Sequence, residues 1–158
     1  MLKSYLSTPI CKLEVTGNST HIESIDFLHD LTTKSKISKQ SDTFPYPILE
    51  QLNEYFSGDR HIFDLAFIPT GSPFQKRVWS SLRSIPYAKT VSYTEIALKI
   101  GRPKSVRSVA TAIGKNPLPI LIPCHRVIGK NGTLNGYSGG LEIKQFLLNH
   151  EKNNSENC

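Results

Sequence analysis

The sequence predicts an α+β fold: a small N-terminal antiparallel sheet with one helix, followed by a mainly helical part that contains a helix-turn-helix. Three observations predict it. Apolar residues alternate with polar ones over residues 2–27, the period of half-buried strands, and recur at helical spacing from residue 48 onward. Capping and turn residues stand at the joints between these segments. Charge divides the chain too: residues 1–69 hold six Lys and Arg against nine Asp and Glu, net −3, whereas residues 70–158 hold thirteen against four, net +9. The expected domains are residues 1–68 and 69–158.

Leu2-Lys3-Ser4-Tyr5-Leu6, Cys11-Lys12-Leu13-Glu14-Val15 and His21 to Phe27 are the expected strands, with Thr16-Gly17-Asn18-Ser19 turning between the last two. The polar stretch Thr32 to Thr43 lacks periodicity and is expected to be a loop. After Pro45 and Pro47, Ile48, Leu49, Leu52, Tyr55 and Phe56 share a helical face that stops at Gly58. In the linker Pro69-Thr70-Gly71-Ser72-Pro73, Ser72 or Thr70 can cap a helix and Pro73 suits its first position. Phe74, Val78, Trp79 and Leu82 then fall on one face, and Arg83 to Tyr87 ends the helix. Ser92 and Glu95 have capping-box spacing ahead of a helix that halts at Gly101-Arg102-Pro103. A further helix is expected from Lys104 to about Ile113, so the two form the helix-turn-helix.

The basic second part suits a polyanion, because clustered Lys and Arg release counterions on binding phosphates. A solvated basic face accounts for the charge equally well. Small side chains at Ser108, Ala110 and Ala112, with Arg107 projecting among them, would let the second helix approach nucleic acid closely; plain core packing is the alternative. The cysteines, Cys11, Cys124 and Cys158, are odd in number and form no CxxC pair, which argues for a reducing, intracellular setting. No apolar run approaches the roughly 18 residues of a membrane span.

The run Ile120-Leu121-Ile122-Pro123-Cys124-His125-Arg126-Val127 carries the chemistry. Pro123 fixes φ and lacks a donor, so the apolar run must bend there, bringing a thiol out beside an imidazole and a guanidinium. Such neighbours lower a thiol pKa from its free value of about 8.5, and the thiolate is the reactive form. Taken alone, the string also fits an inert core cysteine.

Pro123-Cys124-His125-Arg126-Val127 closely resembles the active-site region of the O6-alkylguanine-DNA alkyltransferases. Asn116 to Ile122 precede it in the family's pattern, and Tyr137-Ser138-Gly139-Gly140-Leu141 follow. Phe74-Gln75, Val78-Trp79, Val91-Ser92-Tyr93, Arg107 with Val109, and a C-terminal helix ending at His150-Glu151 extend the likeness over residues 68–151. The resemblance implies a winged-helix-like second domain, no cofactor, and irreversible transfer of an alkyl group from O6-alkylguanine, and also O4-alkylthymine, in double-stranded DNA to Cys124. It implies that His125, through a water, takes the thiol proton while Glu151 orients the ring, that Asn116 braces the active-site turn, and that Tyr93 donates to the guanine. Val127, Tyr137, Ser138 and Gly139 would form the base pocket. Arg107 would fill the stack left by a flipped base, and Ser108, Ala110, Thr111, Lys104 and Arg102 would meet DNA through the minor groove.

The expected protein is a cytoplasmic monomer, associated with the nucleoid or, in a eukaryote, with the nucleus. Thr111 is bulkier than the family's usual glycine or alanine. Cys11, His21 and His61 lack ligand spacing, and Asp64 stands where a ligand histidine is expected, so no zinc is predicted. Rival readings are an alkyltransferase-like lesion-binding protein, which would replace Cys124, and a helix-turn-helix regulator, which would need a further domain. A cysteine hydrolase would need an oxyanion hole that the sequence does not reveal.

Overall fold

The computed structural model describes residues 1–29 and 43–155, and the chain divides into two compact units, Met1–Pro69 and Thr70–Cys158. The expected loop from Thr32 lies outside the described residues up to Asp42, as does Cys158. In the first unit, β1 (Leu2–Ser7), β2 (Lys12–Gly17) and β3 (Ile22–Leu28) form an antiparallel meander in the order β1-β2-β3. Leu13 and Val15 of β2 and Ile22 and Ile25 of β3 are buried, as a sheet with one covered face requires. Thr16 and Gly17, expected in a turn, instead extend β2, and a register shift at this pair absorbs the irregularity.

Helix α1 (Ile48–Ser57) buries Ile48, Gln51, Leu52 and Tyr55. It ends at Gly58, whose φ of 85° suits glycine, while the Asp59 amide donates to the Glu54 carbonyl. Buried Gln51 is satisfied by the Asp64 backbone, donating to its carbonyl at 3.2 Å and accepting from its amide at 2.9 Å.

In the second unit, α2 (Pro73–Leu82) begins with a reciprocal capping box between Ser72 and Gln75 and has Pro73 at its start. Val78, Trp79 and Leu82 are buried, each worth about 1.5–3 kcal/mol in apolar burial. The Trp79 indole donates to the Ala112 carbonyl at 2.8 Å. Strand β4 (Val91–Ser92) leads into α3 (Tyr93–Lys99), capped by Ser92 and Glu95. Gly101, at φ 74°, and Arg102 close α3 by donating to the Leu98 and Ala97 carbonyls.

Helix α4 (Val106–Gly114) starts two residues later than expected. Residues 102–105 form a turn, with the Ser105 amide on the Arg102 carbonyl, so Arg102 and Lys104 lie in the connection. Helices α2 and α3 both pack on α4. A 3-10 turn (Cys124–Arg126) runs into β5 (Val127–Ile128), which pairs in parallel with β4. This pairing was not expected, because two-residue strands carry no periodicity. Helix α5 (Leu141–Ser155) runs one turn beyond the expected end at Glu151. No helix among the described residues is long and apolar enough to cross a membrane.

Candidate active site

The bend at Pro123 seats Cys124 at the head of the 3-10 turn, within a tightly tied backbone segment. Asn116 braces this segment: its amide donates to the Ile122 carbonyl at 2.8 Å, and its side-chain oxygen accepts from the Leu118 amide at 2.9 Å. Ile120 holds a φ of 75°, a strained setting for a β-branched residue, while the Ile122 amide bonds the Leu118 carbonyl across it.

The sulfur is not exposed. Cys124 is 3 % accessible, and burial pushes its thiol pKa up; Asn116, Lys144 and Tyr137 act the other way without reversing it. The expectation that His125 and Arg126 lower this pKa is therefore corrected, since both side chains are committed elsewhere. The His125 Nε2 lies 2.6 Å from a Glu151 carboxylate oxygen, and both residues are fully buried. Arg126 grips the same carboxylate through Nε and Nη2, each at 2.9 Å, donates Nη1 to the Ile85 carbonyl at 2.7 Å, and lies over the Tyr87 ring. The Ala88 amide adds a fourth bond to Glu151 at 3.1 Å.

These contacts set protonation. Burial alone would raise the Glu151 carboxyl, but its bonds to His125 and Arg126 hold it well below the usual carboxylate range. An ionised carboxylate only accepts, so the His125 Nε2 carries the proton and Nδ1 keeps its lone pair. Burial pushes the imidazole pKa down despite Glu151, which favours the neutral ring. Nδ1 is buried and has no hydrogen-bond partner among the described residues.

A cleft of about 710 Å³ opens between α4 and the segment 135–138, lined in part by Tyr93, Arg107, Ala110, Asn135, Tyr137 and Ser138. Cys124 does not line it; Tyr93 and Tyr137, both electrostatically coupled to the sulfur, do. Burial raises the Tyr93 pKa, so its hydroxyl stays a donor, and it reaches the Asn135 carbonyl at 3.5 Å. Val127 is buried in β5, and Gly139 is buried too; neither lines the cleft.

Arg107, Ser108 and Thr111 are exposed and Ala110 is half-buried, whereas Ala112 is buried and faces inward, contrary to the run of small outer residues expected. The Thr111 hydroxyl folds back onto the Arg107 carbonyl at 3.1 Å. Arg102 and Lys104 are exposed. Among the described residues, no three His, Cys, Asp or Glu side chains converge to hold a metal ion.

Sequence reading missed Lys144, which is 1 % exposed. Its Nζ donates to the Asn135 carbonyl at 2.9 Å, lies 5.8 Å from the Tyr93 ring centroid, and acts on Cys124. The signal was available: Lys144 shares a helical face with Leu147 and Glu151, three and seven residues on.

Fold and site together define an α+β protein that holds a braced cysteine, followed in the chain by a histidine buried against a carboxylate from α5, on a helix-turn-helix unit. Residues 73–153 match the DNA binding domain of 6-O-methylguanine DNA methyltransferase, and residues 1–69 match its ribonuclease-like domain. The chain thus belongs to the 6-O-methylguanine DNA methyltransferase family. It is 43 % identical to a methylated-DNA–protein-cysteine methyltransferase of Methanosarcina barkeri, over 98 % of this chain and 99 % of that protein. It is 53 % identical to the constitutive enzyme of that name from Bacillus subtilis, over 65 % of this chain and 63 % of the relative. Among solved structures, Mycobacterium tuberculosis OGT in complex with DNA superimposes with a TM-score of 0.86 at 36 % identity, covering 98 % of this chain and 94 % of that one.

Proposed function

We propose that the chain repairs DNA by taking the alkyl group of O6-alkylguanine in duplex DNA onto Cys124, once per molecule, with O4-alkylthymine as a further substrate. The observation that carries this reading is the commitment of the His125 Nε2 to an ionised Glu151, which leaves a neutral ring with a basic Nδ1 on the residue following the thiol. The thiol proton passes through one water to Nδ1. The sulfur then attacks the alkyl carbon in line: the S–C bond forms, the C–O6 bond breaks, and the electron pair leaves with guanine, whose developing charge accepts a hydrogen bond from the Tyr93 hydroxyl and which takes its proton from solvent on release. The thioether offers water no polarised acyl carbon, so the protein is spent.

Cys124 is buried and does not line the cleft, so a stacked base cannot reach it. The nucleotide is therefore flipped out, at a cost of a few kcal/mol. Arg107 borders the cleft opposite Tyr137 and Ser138, which suits a side chain that fills the vacated stack while the base enters beside it. Arg102, Lys104, Ser108 and Thr111 meet the minor groove and its phosphates without reading sequence. DNA as partner is supported by the Mycobacterium tuberculosis OGT structure in complex with DNA. All relay groups come from one chain, so a monomer suffices, acting wherever DNA is held: the nucleoid-bearing cytoplasm or a nucleus. A non-catalytic lesion-binding protein is the second reading, and the presence of Cys124 speaks against it.

The test is intact mass after incubation with a methylated duplex. We expect a gain of one CH₂ that maps to Cys124, and a Cys124→Ser variant that gains nothing yet still binds alkylated duplex. A gain mapped elsewhere, or a fully active serine variant, overturns the assignment.

A further inference from the structure

Lysine is seldom buried without a carboxylate beside it, because a desolvated ammonium is costly unless something compensates it. Lys144 makes no ion pair among the described residues. Its surroundings are the Asn135 carbonyl at 2.9 Å, the face of Tyr93 from α3 at 5.8 Å, and Cys124 from the 3-10 turn, whose charge acts on it. His125 of the same turn also feels its charge, and Glu151, seven residues along α5, is taken up by His125 and Arg126. The two basic residues that follow Cys124 in sequence thus bond the carboxylate, and the cation that acts on the sulfur comes from a different element, twenty residues on.

We propose that Lys144 is a positioning residue for the transfer: its buried ammonium is the counter-charge that lets the Cys124 proton leave, and its bond to the Asn135 carbonyl holds the cleft wall beside the sulfur. This rests on Cys124 being the alkyl acceptor. It explains why a buried lysine is kept where an apolar residue would pack at less cost: the compensation arrives when the thiolate forms. It also ties the two events together, because the Asn135 carbonyl that Lys144 holds is the one the Tyr93 hydroxyl reaches.

The experiment follows iodoacetamide alkylation of Cys124 against pH, read by peptide mass so that Cys11 and Cys158 do not contribute, for wild type, Lys144→Met and Lys144→Arg. We expect the midpoint to rise by about one pH unit or more in Lys144→Met, and Lys144→Arg to recover most of that shift. A folded Lys144→Met protein with the wild-type midpoint overturns the proposal, as does an arginine variant that behaves like the methionine one. Should Lys144→Met fail to fold, the wild-type Lys144 side chain is titrated by NMR before and after Cys124 is capped with methyl methanethiosulfonate. Its pKa falls on capping if the thiolate is its partner, and an unchanged value overturns the proposal. Iodoacetamide needs no DNA, so a missing shift sinks the role of Lys144 while methyl transfer from a duplex stands. Absent transfer by wild type sinks the acceptor reading instead.

Discussion

Replacing Glu151 by Gln keeps the volume of the side chain and removes its charge. The carboxylate receives four N–H donors, from His125 at 2.6 Å, Arg126 twice at 2.9 Å and Ala88 at 3.1 Å. A glutamine turns one of its two ends into a donor, so one pair of those groups faces an NH₂, and the buried Arg126 charge loses its counterion. Removing one partner of a buried ion pair costs about 3–5 kcal/mol, a large share of the 5–15 kcal/mol that holds a typical domain. Urea unfolding at neutral pH reads this directly. Adding Arg126→Met removes the orphaned charge, so the double variant should lose less than the sum of the two singles.

The pH dependence gives a second signature of the same substitution. The folded pKa values of Glu151 and His125 both lie below their unfolded values of about 4.3 and 6.5, so in each case the unfolded chain takes up its proton first. Both contributions are complete at neutral pH. The histidine share declines as pH falls below about 6.5 and the glutamate share as it falls below about 4.3, and Glu151→Gln deletes the lower step. A variant within about 1 kcal/mol of wild type, with the acid limb unchanged, would refute the burial and pairing reasoning together.

Two further substitutions separate recognition from architecture. Arg107→Ala should slow repair of alkylated duplex more than reaction with free O6-benzylguanine, which needs no flipping; equal losses in single-turnover rates count against the finger role. Asn116→Ala should orphan the Leu118 amide, at about 1–3 kcal/mol for the buried group, and leave the Ile122 carbonyl with the Cys124 amide alone, seen as a lower urea midpoint and slower transfer together. Unchanged unfolding would mean that the brace is dispensable.

Much of the scaffold was legible because its signals are local. The meander follows from alternation, the α3 capping box from Ser92 with Glu95, and the start of α2 from Ser72 or Thr70 ahead of Pro73; the structure settles that cap on Ser72 and adds Gln75 as its reciprocal partner. The candidate site was legible only as a string. Adjacency in sequence suggested that His125 and Arg126 lower the pKa of the thiol beside them, but a 3-10 turn sends successive side chains in different directions, and both bond a carboxylate from α5. The depth of Cys124 was hidden for a related reason, since Tyr93, Tyr137 and Lys144 lie between thirteen and thirty-one residues away in the chain. The β4 and β5 pairing was invisible because two residues carry no period.

The four-way hold on Glu151 bears on how the protein is made. A ribosome that has released residues up to about 140 has already produced the helix pair and the sulfur, but the carboxylate that completes the relay is still to come. On the proposed chemistry, an unfinished nascent chain can present its helix pair to DNA before it can react. Competence arrives with nearly the final turn of α5, so half-synthesised copies do not squander their single turnover.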